Sequence, residues 1–238
     1  MGTSIVVGAG GGIGAAMLAR LARDRPDDRL LALSRRRPEA LPPQADWAYL
    51  DLTDEASIAA AAEGLGPGAD ADLVFVATGQ LHGPGSSPEK SWRNLDPVAL
   101  MAAFQVNAVG PALVAKHFLP RLARDRRAVF AALSARVGSI GDNRLGGWHG
   151  YRASKAALNQ MIRTLAIELA RQRPQALCVA LHPGTVATAL SAPFQGGVAP
   201  EKLFAPDFAA ERMLAVLDGL TPANSGGFFA WDGAPVPW

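Results

Sequence analysis

Short apolar runs alternate along this chain with longer segments in which apolar positions recur every three and four residues. The runs are SIVVG (4–8), RLLALS (29–34), WAYL (47–50), DLVFVAT (72–78), AVFAALS (128–134), ALCVAL (176–181) and GGFFAW (226–231). Each is nearly continuous in its hydrophobicity and bounded by turn residues, so they predict seven strands buried on both faces. Between them lie GIGAAMLARLARD (12–24), DEASIAAAAEGL (54–65), the long stretch 96–125, GYRASKAALNQMIRTLAIELARQ (150–172) and PDFAAERMLAVLDGL (206–220), whose spacing predicts helices. Strands and helices in alternation predict one α/β domain over 1–238, a doubly wound seven-stranded parallel sheet with helices on both faces.

Glycine and proline mark GLGPGAD, LHGPGSSPEK and SAPFQGGVAP as loops.

Composition narrows the classes. The 238 residues are 49% hydrophobic and 18% charged, enough for a sizeable core. With 23 basic and 21 acidic residues the formal charge is +2, and the arginines cluster at expected element ends rather than along one face. No nucleic-acid surface is expected. Cys178 is the only cysteine, which excludes an internal disulfide, and the four histidines lack metal-ligand spacing. With no apolar run of ~18 residues and no leader-like start, the expectation is a cytoplasmic protein with neither membrane nor metal.

The first strand runs into Gly8-Ala9-Gly10-Gly11-Gly12-Ile13-Gly14 and then a helix. A strand, a glycine turn and a helix start together present backbone N–H groups and a positive helix end to a pyrophosphate. About 20 residues on, where an acid would accept the 2′-hydroxyl of NAD, stand Ser34, Arg35, Arg36 and Arg37. Loss of the acid and gain of arginines suit a 2′-phosphate, so NADP(H) is expected over NAD(H).

At this point the chain resembles the single-domain short-chain dehydrogenases/reductases, a Rossmann-fold family, over essentially its whole length. Beside the glycine turn, Asp51-Leu52 in LDLTD resembles the adenine-contacting pair. VATG (76–79) stands where the family has Asn-Asn-Ala-Gly, with Ala77 and Gly79 in the coenzyme-binding stretch. Asn107 resembles the family's helix asparagine and Tyr151-x3-Lys155 its catalytic signature. HPGTVAT (182–188) resembles the Pro-Gly-x-Val-x-Thr stretch over the nicotinamide, which implies coenzyme contacts from Pro183, Gly184, Val186 and Thr188. GSIGDNRLGGWHGYRASKAALN and WDGAPVPW resemble the C-factor and sniffer-like carbonyl reductase group within the family.

The resemblance implies hydride transfer between NADP(H) and a carbonyl or alcohol, with Tyr151, Lys155, Asn107 and a serine as the catalytic set. Residues at i and i+4 share a helix face, and a nearby ammonium draws a phenol toward its ionised form. Two serines compete for the fourth place. Ser134 lies at the strand end and is preferred over Ser139, while Ala135 stands where the family commonly has a second serine. A coenzyme-binding regulatory or signalling protein with little turnover is the alternative; an epimerase of the extended relatives would need a larger C-terminal part. The segment 190–205, after the sixth run, is expected to close over the substrate. Pro193, Phe194, Leu203 and Phe204 in it suggest an apolar, uncharged substrate of small to medium size. Trp92, Trp148, Trp231 and Trp238 are further candidates for that pocket, although core packing is the ordinary role of any one tryptophan. Helices 98–124 and 149–172 resemble those through which relatives form dimers and tetramers.

Overall fold

The computed structural model describes residues 2–83 and 87–238; positions 84–86 of the expected loop at 81–90 lie outside them. Seven strands form one wholly parallel sheet: β1 (Thr3–Val7), β2 (Arg29–Ser34), β3 (Ala45–Tyr49), β4 (Leu73–Val76), β5 (Ala128–Leu133), β6 (Ala176–His182) and a seventh strand near the end of the chain (Phe228–Ala230). Their spatial order is β3-β2-β1-β4-β5-β6 and then the seventh strand. All seven correspond to the apolar runs of the sequence. Consecutive residues of a strand point to opposite faces. Ile5 and Val7 therefore enter one core with Val74, Val76 and Phe130. Val6 enters the other with Phe75, Val129 and Val179. Having both faces covered is why these strands carry no polar alternation.

Helices α1 (Gly12–Asp24) and, late in the chain, a helix at Pro206–Gly219 pack together on one face. On the other lie α2 (Glu55–Glu63), α3 (Pro97–Phe104), α4 (Gly110–Phe118) and α5 (His149–Gln172). The helix expected over 98–124 forms as one uninterrupted stretch over Pro97–Arg121 that departs from α winding twice. A π-turn at Gln105–Val109 separates α3 from α4, and a 3-10 turn follows at Leu119–Arg121. Pro111 has no N–H to give the carbonyl of Asn107, and Gly110 admits Leu52, whose Cβ lies 2.7 Å from where a glycine Cβ would stand. The stretch Pro97–Arg121 is apolar and long enough by composition to span a bilayer. Val114, Ala115 and Phe118 in it are fully buried in the protein core.

The strand order reverses between β1 and β4, the switch point at which open α/β sheets form their crevice, beyond the carboxyl ends of the strands. Two short strands the sequence pattern did not predict, Thr185–Val186 and Leu203–Phe204, pair in parallel at that edge. The first leads into the expected closing segment and the second lies near its end, with 3-10 turns at Ala192–Gly197 and Pro200–Lys202 between them.

Candidate active site

The residues singled out for the coenzyme gather at the C-terminal ends of the sheet strands, in the last residues of a strand, in the turns that follow or at the start of α1. Gly8 leaves β1 at φ +86, where its missing side chain makes room: a Cβ would stand 2.8 Å from Thr78 Cγ2. A Cβ on Gly14 would be 2.2 Å from the Gly8 carbonyl oxygen, and one on Gly12 would be 2.7 Å from Thr188 Cγ2. The HPGTVAT stretch thus touches the start of α1. That helix has no side-chain cap and no acid in its first turn, so its leading N–H groups remain available to an anion. Thr78 Oγ1 is buried beside the turn with no hydrogen-bond partner among the described residues. An open, uncapped helix start against a polar atom without a partner fits a bound dinucleotide phosphate.

Gly8 N and Ala9 N both donate to Leu33 O, at 2.8 and 3.2 Å, which holds the end of β2 against the glycine turn. Ser34 follows, 8% exposed, with its hydroxyl donating to Arg36 O at 2.6 Å. Arg35, Arg36 and Arg37 are exposed beyond it. The Asp51 carboxylate accepts from Thr53 N (2.9 Å) and Thr53 Oγ1 (2.8 Å). The Thr53 backbone bond foremost, with the Thr53 hydroxyl and nearby Arg35, holds that carboxyl below its ordinary range. Leu52 packs its side chain against Gly110.

The catalytic candidates meet on α5. Its buried face carries Ser154, Lys155, Leu158, Asn159 and Ile162, so the stripe that packs on the sheet is polar where it reaches the strand ends. Lys155 is 2% exposed and donates from Nζ to Leu133 O at 2.8 Å. Its Nζ lies 5.9 Å from the centroid of the Tyr151 ring. Burial moves the two pKa values in opposite senses, the Tyr151 phenol up to about 12 and the Lys155 amine down to about 7. Asn107 is fully buried; it accepts from Gln80 N (2.8 Å) and donates to Gln80 O (2.8 Å) and Ser154 Oγ (3.1 Å). The π-turn therefore ties the end of β4 to α5. Gly79 passes between the two groups: a Cβ there would stand 3.5 Å from Lys155 Nζ and 3.7 Å from Asn107 Oδ1.

The two serines part company. Ser134 lines the cleft, 3% exposed, with its hydroxyl donating to Asn159 Oδ1 at 2.6 Å. Ser139 is 1% exposed and serves a turn, accepting from Asp142 N at 3.1 Å; it is not among the cleft-lining residues. Asn159 and Ser154 were not singled out from sequence. The signal was there: both fall on the Tyr151–Lys155 face at helical spacing.

A cleft of about 610 Å³ joins these groups. Ile13 from the glycine turn, Ser134, Tyr151, Pro183, Gly184, Val186 and Thr188 line it, with Leu190, Ser191, Phe194 and Val198 from the closing segment. Of the tryptophans only Trp148 lines it, edge-on to Phe194 at 5.1 Å and to Tyr151 at 6.4 Å. Trp92 is 70% exposed, Trp231 packs on Phe204 and Phe208, and Trp238 stacks on Phe228. Of the four apolar residues expected from the closing segment only Phe194 lines the cleft; Pro193, Leu203 and Phe204 do not, and Phe204 packs on Trp231, on Phe208 and against Gly184. Arg136, Arg144, Arg152 and Asp142 stand at the cleft as well, so its wall is less uniformly apolar than the closing segment suggested. Trp148 holds a left-handed backbone (φ 52) after left-handed Gly146 and Gly147. Glu89 secures that turn: its carbonyl accepts from Trp148 N and its carboxylate from Gly150 N.

Residues 3–197 match the family described as short chain dehydrogenase, and the chain belongs to that family. It is 38% identical to the C-signal protein of Myxococcus xanthus over 146 residues, 61% of this chain and 82% of the relative. Among solved structures it superposes on an NADPH-bound carbonyl reductase from chicken fatty liver with a TM-score of 0.86, at 27% identity, covering 100% of this chain and 98% of the other. The carbonyl reductase Sniffer of D. melanogaster gives a TM-score of 0.85 at 25% identity, with both chains fully covered. The resemblance drawn from the Tyr-x3-Lys segment to the C-factor and sniffer-like group is thus borne out.

Proposed function

We propose that this chain is an NADP(H)-dependent carbonyl reductase acting on a largely apolar aldehyde or ketone. The observation that carries the reading is the meeting of Tyr151 and Lys155 with Ile13, Ser134 and the Pro183–Thr188 stretch around one cleft. The NADPH of the chicken enzyme and the arginines after β2 support the choice of coenzyme. When bound, the dihydronicotinamide supplies a hydride to the carbonyl carbon.

The remaining steps belong to the chain. Tyr151, kept protonated by burial, gives its phenolic proton to the carbonyl oxygen. Lys155 lies close enough to offset the charge of the phenolate left behind, and its proton replaces the one given up. Asn107 holds the far end of that path and fixes α5 against the end of β4. Ser134 turns its hydroxyl from Asn159 to the carbonyl oxygen and steadies the charge that develops there. Gly8, Gly10, Gly12, Ile13 and Gly14 take the pyrophosphate, Arg35 and Arg36 the 2′-phosphate, and Asp51 and Leu52 the adenine side. Ala77, Gly79, Pro183, Gly184, Val186 and Thr188 flank the nicotinamide half.

Consumption of NADPH and NADH at 340 nm with a panel of aldehydes, ketones and diketones tests this, with Tyr151→Phe beside wild type. Turnover with NADPH that is lost in the variant is the expected result. Saturable NADPH binding without turnover by wild type would overturn it in favour of a second reading, a coenzyme-binding signalling protein. The Myxococcus relative and the methyl of Ala135 in place of a hydroxyl support that second reading.

We also propose that two copies associate through α3 and α5. Val98 is 75% exposed, Met101 71%, Met161 44% and Ile167 48%, large apolar side chains left in solvent on both helices.

A further inference from the structure

The structure assigns Trp47 a role in coenzyme choice: it positions the Ser34–Arg36 turn so that the turn recognises a 2′-phosphate. This rests on the NADP(H) reading of the same site and adds to it the residue that shapes the recognition.

The argument begins with register. In the β2–β3 pairing Ala32 stands opposite Trp47 and Ser34 opposite Tyr49. Ser34 is thus the diagonal neighbour of Trp47 on one face of the sheet, within reach of a long aromatic side chain. The indole Nε1–H donates to Ser34 Oγ at 3.1 Å, and Ser34 Oγ–H donates to Arg36 O at 2.6 Å. The two bonds run in one direction and polarise each other. An indole nitrogen only donates, so Ser34 must accept from it, and a hydroxyl has a single proton. That proton goes to the backbone two residues on. A 2′-phosphate offers acceptors alone, so while this chain of bonds holds, Ser34 is not its donor.

What the chain of bonds fixes is the course of the backbone after β2. The turn it closes stands against the glycine turn: from the Cβ position of Gly10 it is 3.8 Å to Arg36 O, 3.9 Å to Ser34 Cβ and 4.0 Å to Ser34 Oγ. Ser34 is buried while Arg35, Arg36 and Arg37 emerge exposed from the turn. A guanidinium held over a defined point loses less freedom on binding a dianion than one on a mobile loop. Trp47 is therefore a positioning residue acting through Ser34, and it differs from the sequence expectation in which Ser34 itself met the phosphate.

The test is binding without hydride transfer. Affinities of wild type, Trp47→Phe, Ser34→Ala and the double variant are measured by calorimetry for 2′,5′-ADP and 5′-AMP, and by quenching for NADPH and NADH. Wild type should bind 2′,5′-ADP more tightly than 5′-AMP. Trp47→Phe and Ser34→Ala should each weaken 2′,5′-ADP and NADPH about tenfold while leaving 5′-AMP and NADH within about twofold. The double variant should be no worse than either single one, since both break one chain of bonds. Equal weakening of all four ligands would mean that Trp47 only packs the sheet, and unchanged ratios would mean that the turn holds its shape without it; either overturns the proposal. Wild type with no preference for 2′,5′-ADP would instead overturn the NADP(H) reading on which it rests. Ser34→Ala changes one small side chain and keeps the question open to test if Trp47→Phe fails to fold.

Discussion

Lys155 makes this fold more stable in mild alkali than in mild acid, and replacing it with methionine should remove that dependence. Its side chain is 2% exposed, and burial holds its pKa near 7 against an ordinary 10.5. Below pH 7 the amine is charged in both the folded and the unfolded chain, and the folded state bears the full desolvation penalty. Between the two pKa values the folded chain gives up its proton while the unfolded chain keeps it, so the unfolded state binds more protons and stability rises with pH. From pH 6 to pH 9 the gain from this one group is about 3 kcal/mol. For a chain of this size that corresponds to roughly 10 °C in Tm. Lys155→Met keeps an unbranched apolar stem, loses the hydrogen bond to Leu133 O and has nothing to titrate. His182, which burial pulls down to about 4, adds a smaller rise in the same direction, but it is present in both proteins and cancels in their difference. Thermal unfolding of the two proteins without coenzyme, at pH 6, 7, 8 and 9, gives that difference directly. The stability of the variant relative to wild type should fall by about 3 kcal/mol from pH 6 to pH 9. Parallel curves for the two proteins would refute the reasoning, because they would show that Lys155 titrates at its ordinary pKa in the fold.

Three further outcomes follow from the geometry. Gly14→Ala drives a methyl to 2.2 Å from the Gly8 carbonyl oxygen; it should cost about 2 kcal/mol or more by denaturant unfolding and abolish saturable coenzyme binding. Ser134→Ala should lower kcat/KM about 100-fold, and adding Ala135→Ser should not restore it; restoration would transfer the role to position 135. Met101→Lys should shift the molecular mass measured by light scattering from a dimer or tetramer to a monomer, and an unchanged mass would place any association elsewhere.

The strands and the close-packed glycine turn were legible in the residues because both rest on local rules. A strand buried on two faces has to be apolar throughout, and a glycine turn that brings backbone to a phosphate has to omit side chains, as Gly8 and Gly14 show. The Tyr151–Lys155 spacing likewise places both groups on one face of any helix. What the tertiary structure alone decided were relations between segments distant in sequence. The partners of Asn107, Gln80 and Ser154, lie on two other segments, and the π-turn that aims it comes from Pro111 and from Leu52 pressing on Gly110. Ser134 and Ser139 differ because packing turns the strand-end hydroxyl to Asn159 on α5, whereas the hydroxyl of Ser139 accepts from the Asp142 backbone. Trp47 became a neighbour of Ser34 only through the β2–β3 register. The charge states of Lys155 and Tyr151 depend on how much water the packed helices exclude, a quantity set by the whole fold rather than by the residues beside them.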